Sequence, residues 1–161
     1  MAVDQTQFKQ ALAAWASGVT IVTTKTAEGE VSGMTASAFS SVSAEPPLVL
    51  VCINKSASSC PLISASGNFA VNVLKTGQDG ISNKFASYKD KDTRWQDLAV
   101  STGVTGAPLL DESLASLDCK VVQSVEAGTH IVFIGEVQDA VVREGDPLLY
   151  FKGAYRGVTG L

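Results

Sequence analysis

Two long strand-like stretches, residues 114–125 and 131–142, are joined by a turn at Glu126-Ala127-Gly128, with no room between them for a helix. Parallel neighbours need a crossover of a dozen or more residues, so a connection this short forces antiparallel pairing. The same grammar recurs elsewhere. Residues 19–24 and 30–35 flank a hairpin turn at Ala27-Glu28-Gly29, and residues 148–152 follow a turn at Glu144-Gly145-Asp146. Further runs rich in Val, Ile and Thr, at 48–53 and 69–74, read as strands. Strands adjoin strands, and no regular strand–helix alternation appears. The pattern predicts a mainly β, α+β chain: an antiparallel barrel with a few covering helices, not a doubly wound sheet.

Three helices are expected. The first has Asp4 and Thr6 as candidate caps, Phe8, Ala11, Leu12 and Trp15 on one face, and Gly18 as its stop. Trp15 is expected to anchor it in the core. The second covers residues 58–66, with Pro61 near its first turn. The third covers 78–88, with Ile81, Phe85 and Tyr88 on one side, and the polar residues 89–97 read as a surface connection. Gly135, inside a strand, marks a bulge or a close backbone approach. No linker or repeat interrupts the chain, so residues 1–161 read as a single domain.

Bulk properties exclude several functions. A chain of 161 residues buries roughly 68–70% of its unfolded surface, enough for a core without staples. With 12 basic and 16 acidic residues the net charge is −4, and no basic stripe offers itself to nucleic acid. No apolar run is long enough to span a membrane, and the N-terminal residues lack the basic and apolar regions of a secretory signal, so a cytoplasmic protein is expected. Cys52, Cys60 and Cys119 are odd in number and form no Cys-x-x-Cys pair, as expected of free thiols in a reducing compartment.

His130 is the only histidine, which removes His-rich zinc sites, and no metal site is expected. The Gly-x-Ser-x-Gly and Ser-x-x-Lys signatures are absent, as are the phosphate-binding Gly-x-x-x-x-Gly-Lys-Ser/Thr loop and the dinucleotide Gly-x-Gly-x-x-Gly. A Cys–His pair using His130 stays open.

What the chain does carry is residues 33–47, with five hydroxyls and almost no charge between two apolar runs. Ser/Thr clusters ending in Pro-Pro commonly form surface loops. The alternative is the wall of a site for a neutral, flat, polar-edged ligand. Hydroxyls and amides with few acid–base groups suit a cofactor that brings its own chemistry, and flavin answers that description. Its phosphate would find a seat at Asn54-Lys55-Ser56-Ala57-Ser58-Ser59, leading into a helix N-terminus. An ordinary Ser cap with a solvated lysine explains the same residues. Ser82-Asn83-Lys84-Phe85 is a second candidate, equally readable as an amphipathic helix.

These fragments together resemble a known family. Gly33-Met34-Thr35-Ala36-Ser37-Ala38-Phe39, Ser41-Val42-Ser43 with Pro46-Pro47, and Cys52-Ile53-Asn54-Lys55-Ser56 occur in order. Phe69-Ala70-Val71-Asn72-Val73-Leu74, Thr129-His130, and Leu149-Tyr150-Phe151 with Tyr155-Arg156 complete the set. The chain is similar over nearly its whole length to the short-chain flavin reductases, reductase components of two-component flavin-dependent monooxygenases. The resemblance implies a homodimeric split β-barrel of the FMN-binding type. It implies binding of FMN or FAD, hydride taken from NADH or NADPH, and reduced flavin delivered to a separate oxygenase. Carried onto this chain, it puts Met34, Thr35, Ala36 and Ser37 beside the ring and ribityl chain, with Ser40 and Ser41 alongside. Asn54, Lys55 and Ser56 would hold the phosphate region, and Ser82 and Phe85 would close over the flavin tail. His130, Tyr150 and Tyr155 would place the nicotinamide, His130 as a positioner with no acid–base role. Ala38 stands where many relatives have a serine, and Thr129 where some carry Asp or His. Two other readings stay open: a flavoprotein passing electrons to a metal or corrinoid, and a non-enzymatic flavin-binding module.

Overall fold

A computed structural model describes residues 3–160. Helix α1 (Gln5–Ala13) is followed by strands β1 (Ser17–Gly18), β2 (Thr20–Lys25), β3 (Val31–Ala36), β4 (Phe39–Ala44) and β5 (Pro47–Asn54). Next come α2 (Ser59–Ser66), β6 (Asn68–Val73), α3 (Asp79–Ala86), and the short pair β7 (Val100–Thr102) and β8 (Pro108–Leu110). The long strands β9 (Ala115–Ala127) and β10 (His130–Val142) precede β11 (Leu149–Phe151) and β12 (Ala154–Arg156).

Seven strands form one antiparallel sheet in the order β3-β2-β6-β9-β10-β5-β4. Its two edge strands, β3 and β4, are neighbours in the chain, linked only by Ser37 and Ala38. The sheet therefore curls until its edges approach, without closing the hydrogen-bond ladder. The expected barrel is a split one, and its seam falls at Ser37–Ala38.

The central strands explain why the sequence reads as apolar or threonine-rich without alternation. On β2, Val22 faces a core shared with Val51, Ile53, Phe69 and Phe133, into which α2 inserts Cys60 and Ile63. Ile21 faces the opposite way, into a second cluster with Leu74, Phe85 and Leu148. Both faces are covered, so every position through Thr24 is buried. Buried hydroxyls are satisfied locally: Thr20 donates to the Ala36 carbonyl (2.6 Å) and Thr24 to the Asn68 carbonyl (2.9 Å). Phe69 and Phe133, both fully buried, each contribute on the order of 1.5–3 kcal/mol by leaving water. Gly135 combines both expectations made for it. The β9–β10 register shifts there, and a Cβ would stand 2.5 Å from Phe69 Cζ and 2.8 Å from Cys119 Cβ.

Several expectations are corrected. Residues 39–44 form the edge strand β4, not a loop; its exposed serines hide the strand pattern because neither face is buried. Trp15 is 77% exposed and α1 buries none of its residues, so Trp15 is no core anchor. Tyr88 lies beyond the end of α3 and is exposed. The 89–97 connection is only partly superficial: Arg94 is buried, and Trp95 meets Phe85 edge-on with ring centres 5.0 Å apart. Ser58 makes no side-chain cap on α2, so the ordinary-cap reading fails. The cysteines, by contrast, are unpaired as expected, and burial, reinforced by the neighbouring Asp118 charge, pushes the Cys119 thiol up to about 12.

Candidate functional site

Strand periodicity decides which residues of β3 can face a ligand. Side chains alternate between faces, so four consecutive residues cannot all present side chains to one molecule. Met34 packs against the main core and Ala36 is buried in it. Thr35 and Ser37 instead line a hollow of about 280 Å³ under α3, together with Ser82, Asn83, Tyr150 and Tyr155. The hollow's polar wall is a connected network. Thr35 Oγ1 donates to the Ser82 carbonyl (2.6 Å), and the Tyr155 hydroxyl donates to Ser82 Oγ (2.8 Å) and reaches Asn83 Oδ1 (3.0 Å). The C-terminal hairpin β11–β12 sets Tyr150 opposite Tyr155, with ring centres 5.3 Å apart.

Ser37 and Tyr150 also line a larger hollow of about 750 Å³, bounded by α1, the seam and β5. Ser40, Cys52, Phe39 and Leu50 form its sheet side, and Trp15 and Lys9 its helix side. Lys152 stands at its C-terminal rim. The two hollows thus adjoin at the seam. Neither lining contains an Asp, Glu or His, and the only charged groups are Lys9 and Lys152, in a chain whose net charge is −4.

The other expected residues lie elsewhere. Ser41 is exposed and lines neither hollow. Phe85 is buried in the second core cluster and packs beneath Gly33, whose Cβ would come within 2.6 Å of its ring. Asn54, Lys55 and Ser56 gather at the far end of β5 beside His130, which pairs in register with Asn54. That end is roughly 7 Å from Cys52, two residues along an extended strand. Asn54 Oδ1 accepts from the Ser56 amide (2.9 Å) and hydroxyl (2.8 Å), and the Lys55 amide donates to the Thr129 carbonyl (3.0 Å). Lys55 Nζ meets Glu126 at 2.9 Å and, by hydrogen bond and charge, holds that carboxyl below its usual range. His130 Nδ1 lies 3.0 Å from Thr129 Oγ1.

Sequence reasoning missed Lys9, Lys152 and Arg94. The lysines are separated by nearly the whole chain, and only the return of β11 beside β1 unites them. Arg94 sits in a polar segment that looks like surface.

A split barrel with a hydroxyl- and phenol-lined hollow at its seam, free of carboxylates and histidine, is the architecture of a protein that positions a ligand carrying its own reactivity. Comparison with known proteins supplies the family. Residues 12–159 match the flavin reductase like domain. An FMN reductase (NADH) RutF of Pseudomonas syringae pv. syringae is 41% identical over 155 residues, 96% of this chain and 86% of that one. The NADH:FAD oxidoreductase SgcE6 of Streptomyces globisporus C-1027, in complex with NAD and FAD fragments, superposes with a TM-score of 0.90 at 33% identity. That match covers 99% of this chain and 97% of SgcE6. BorF, the flavin reductase component of a bacterial two-component tryptophan halogenase, gives a TM-score of 0.88 at 31% identity, covering 98% of this chain and all of BorF. The chain belongs to the flavin reductase-like family.

Proposed function

We propose that this chain is an NADH- or NADPH-dependent flavin reductase that takes FMN or FAD as substrate and releases it reduced to a partner monooxygenase. The observation that carries the reading is the convergence of Thr35, Ser37, Ser82, Tyr150 and Tyr155 on adjoining hollows with no carboxylate or histidine in their walls. This donor set fits a flat ring with a polar edge and an anionic tail. Bound flavin supplies the hydride-accepting ring, so the protein needs no general base.

Each part of the chain then has a task. Thr35 and Ser37 offer hydroxyls, and Met34 and Ala36 offer only main chain. Ser40 continues the wall along the seam, and Ser41 stands outside it. Ser82, fixed by Tyr155 and Thr35, holds the hollow's shape, and Phe85 acts from beneath by supporting α3 and β3. Hydroxyl donors of this wall beside a flavin's ring edge would favour the negative charge that reduction places there. Holding two rings in register is the main source of acceleration. Asn54, Lys55 and Ser56, near the α2 N-terminus, form the anion-accepting end. His130, whose other ring nitrogen has no protein partner among the described residues, places the nicotinamide together with Tyr150 and Tyr155.

Two further parts of the proposal concern the molecule's setting. The exposed face of α1, with Phe8, Leu12 and Trp15 each more than half exposed, supports a homodimer that covers it. A cytoplasmic location fits the three unpaired thiols, and no helix among the described residues is long and apolar enough to cross a membrane.

The test is a pair of titrations on the wild type and His130→Ala: flavin at fixed NADH or NADPH, and nicotinamide at fixed flavin. Saturable oxidation with added FMN or FAD is expected, and the variant should raise KM for the nicotinamide more than it weakens flavin binding. No oxidation with riboflavin, FMN or FAD ends the reductase reading; equal losses for both ligands end the role of His130.

A further inference from the structure

Lys9 and Lys152 are the two charged residues lining the hollow of about 750 Å³, and neither has a task in flavin binding as described above. Lys9 is the only charged residue within Gln5–Ala13, so no acidic neighbour on α1 shares its charge. The ion pair found among the described residues joins Lys55 to Glu126, and neither Lys9 nor Lys152 takes part in one. The backbone brings both to one place. Lys9 and Ala13 stand four apart on the same helix face. The Lys152 amide donates to the Ala13 carbonyl (3.0 Å), which ties the turn after β11 to the end of α1. Lys152 Nζ lies 5.3 Å from the centre of the Phe151 ring, a cation–π contact that restrains it. Lys152 also has φ 49°, in the left-handed region that favours glycine, so a lysine holds a position that glycine would fill at lower cost.

The remaining walls decide what such a pair can hold. Trp15, Phe39 and Tyr150 offer aromatic faces, and no Asp or Glu lines the hollow. Its volume falls in the range of roughly 300–1,000 Å³ found for small-molecule and cofactor sites. The two nicotinamide coenzymes differ in one group, at the 2′ position of the adenosine ribose. A free 2′-hydroxyl is a donor that a carboxylate recognises, whereas a 2′-phosphate is repelled by a carboxylate and attracted by cations. This hollow has the cations and lacks the carboxylate.

We propose, resting on the flavin reductase reading above, that Lys9 and Lys152 accept the 2′-phosphate of NADPH and that this chain uses NADPH at least as well as NADH. Tyr150 lines both hollows and marks where the coenzyme passes from the flavin ring towards the lysines. Coenzyme choice turns on one phosphate, so two side chains suffice to set this chain apart from relatives named for NADH. Both lysines are exposed, so the preference for NADPH should shrink as ionic strength rises.

Riboflavin serves as the acceptor in the test, because it carries no phosphate that the lysines could hold instead. The ratio of kcat/KM for NADPH to that for NADH is measured on the wild type, Lys9→Ala, Lys152→Gly, the double variant and Lys152→Arg. Alanine suits a helix and glycine suits the left-handed turn, so both single variants keep the fold. The wild-type ratio should be at least one. It should fall by about tenfold in each single variant, as for a lost charge-assisted hydrogen bond, and stay within about twofold in Lys152→Arg. A wild-type ratio well below one, or an unchanged ratio in the variants through equal losses with both coenzymes, would overturn the proposal. Calorimetric binding of adenosine 2′,5′-bisphosphate against 5′-AMP needs no turnover. Tighter binding of the bisphosphate, lost in the double variant, upholds the seat even where no flavin is reduced, and then only the reductase reading ends. Flavin reduction with no preference for the bisphosphate ends the seat alone.

Discussion

Gly135 and Arg94 mark how far single residues can be read without coordinates. A glycine inside a run of strand formers signals that something approaches the backbone, and here Phe69 and Cys119 do. Gly135→Ala would drive a methyl group into that contact, at a cost of about 1–3 kcal/mol, the range for overpacked cores. In a chain of this size the Tm should fall by roughly 5 °C, measured by calorimetry, with the two-state shape retained. An unchanged Tm would show that the β9–β10 bulge absorbs the methyl and that the approach is not a constraint. Arg94 gave no comparable signal. Asp-Thr-Arg-Trp among lysines and aspartates looks like solvated surface, and only the docking of the 88–95 turn on β3 turns the arginine inward. Charge in a sequence says nothing about burial when the partners are backbone carbonyls.

At the scale of elements, strands buried on both faces were the easiest to read. β2 and β6 appear as uninterrupted apolar and threonine-rich runs because each is covered from two sides. β4 was illegible for the opposite reason: with neither face buried, nothing in its serines keeps a period of two. The apolar stripe of α1 was legible, but its destination was not. Periodicity announces that a face will be covered without saying by which chain, and within this chain α1 buries nothing. Replacing Phe8, Leu12 and Trp15 together with serine should therefore leave thermal stability of the fold nearly unchanged while shifting sedimentation from dimer to monomer. A triple variant that sediments like the wild type, or a wild type that is monomeric, would detach the helix face from assembly.

For the whole molecule, the deciding feature is the seam. Residues 33–47 were recognisable as a wall of hydroxyls, but a sequence cannot show that their two strands are opposite edges of one curled sheet. That topology places Ser37 at the meeting point of two hollows, and the return of β11 brings Tyr150 and Lys152 to the same place. The result is a cationic, hydroxyl-lined cleft on an acidic protein, open at the surface and without a carboxylate or histidine in its walls. An open cleft of that kind suits a flavin that comes and goes. The most direct measurement is the number of FMN equivalents reduced per chain by excess NADH or NADPH without oxygen, followed by loss of flavin absorbance. Reduction of many equivalents by a trace of protein is the predicted result. Bleaching that stops at one equivalent per chain, or none at all, would contradict the account.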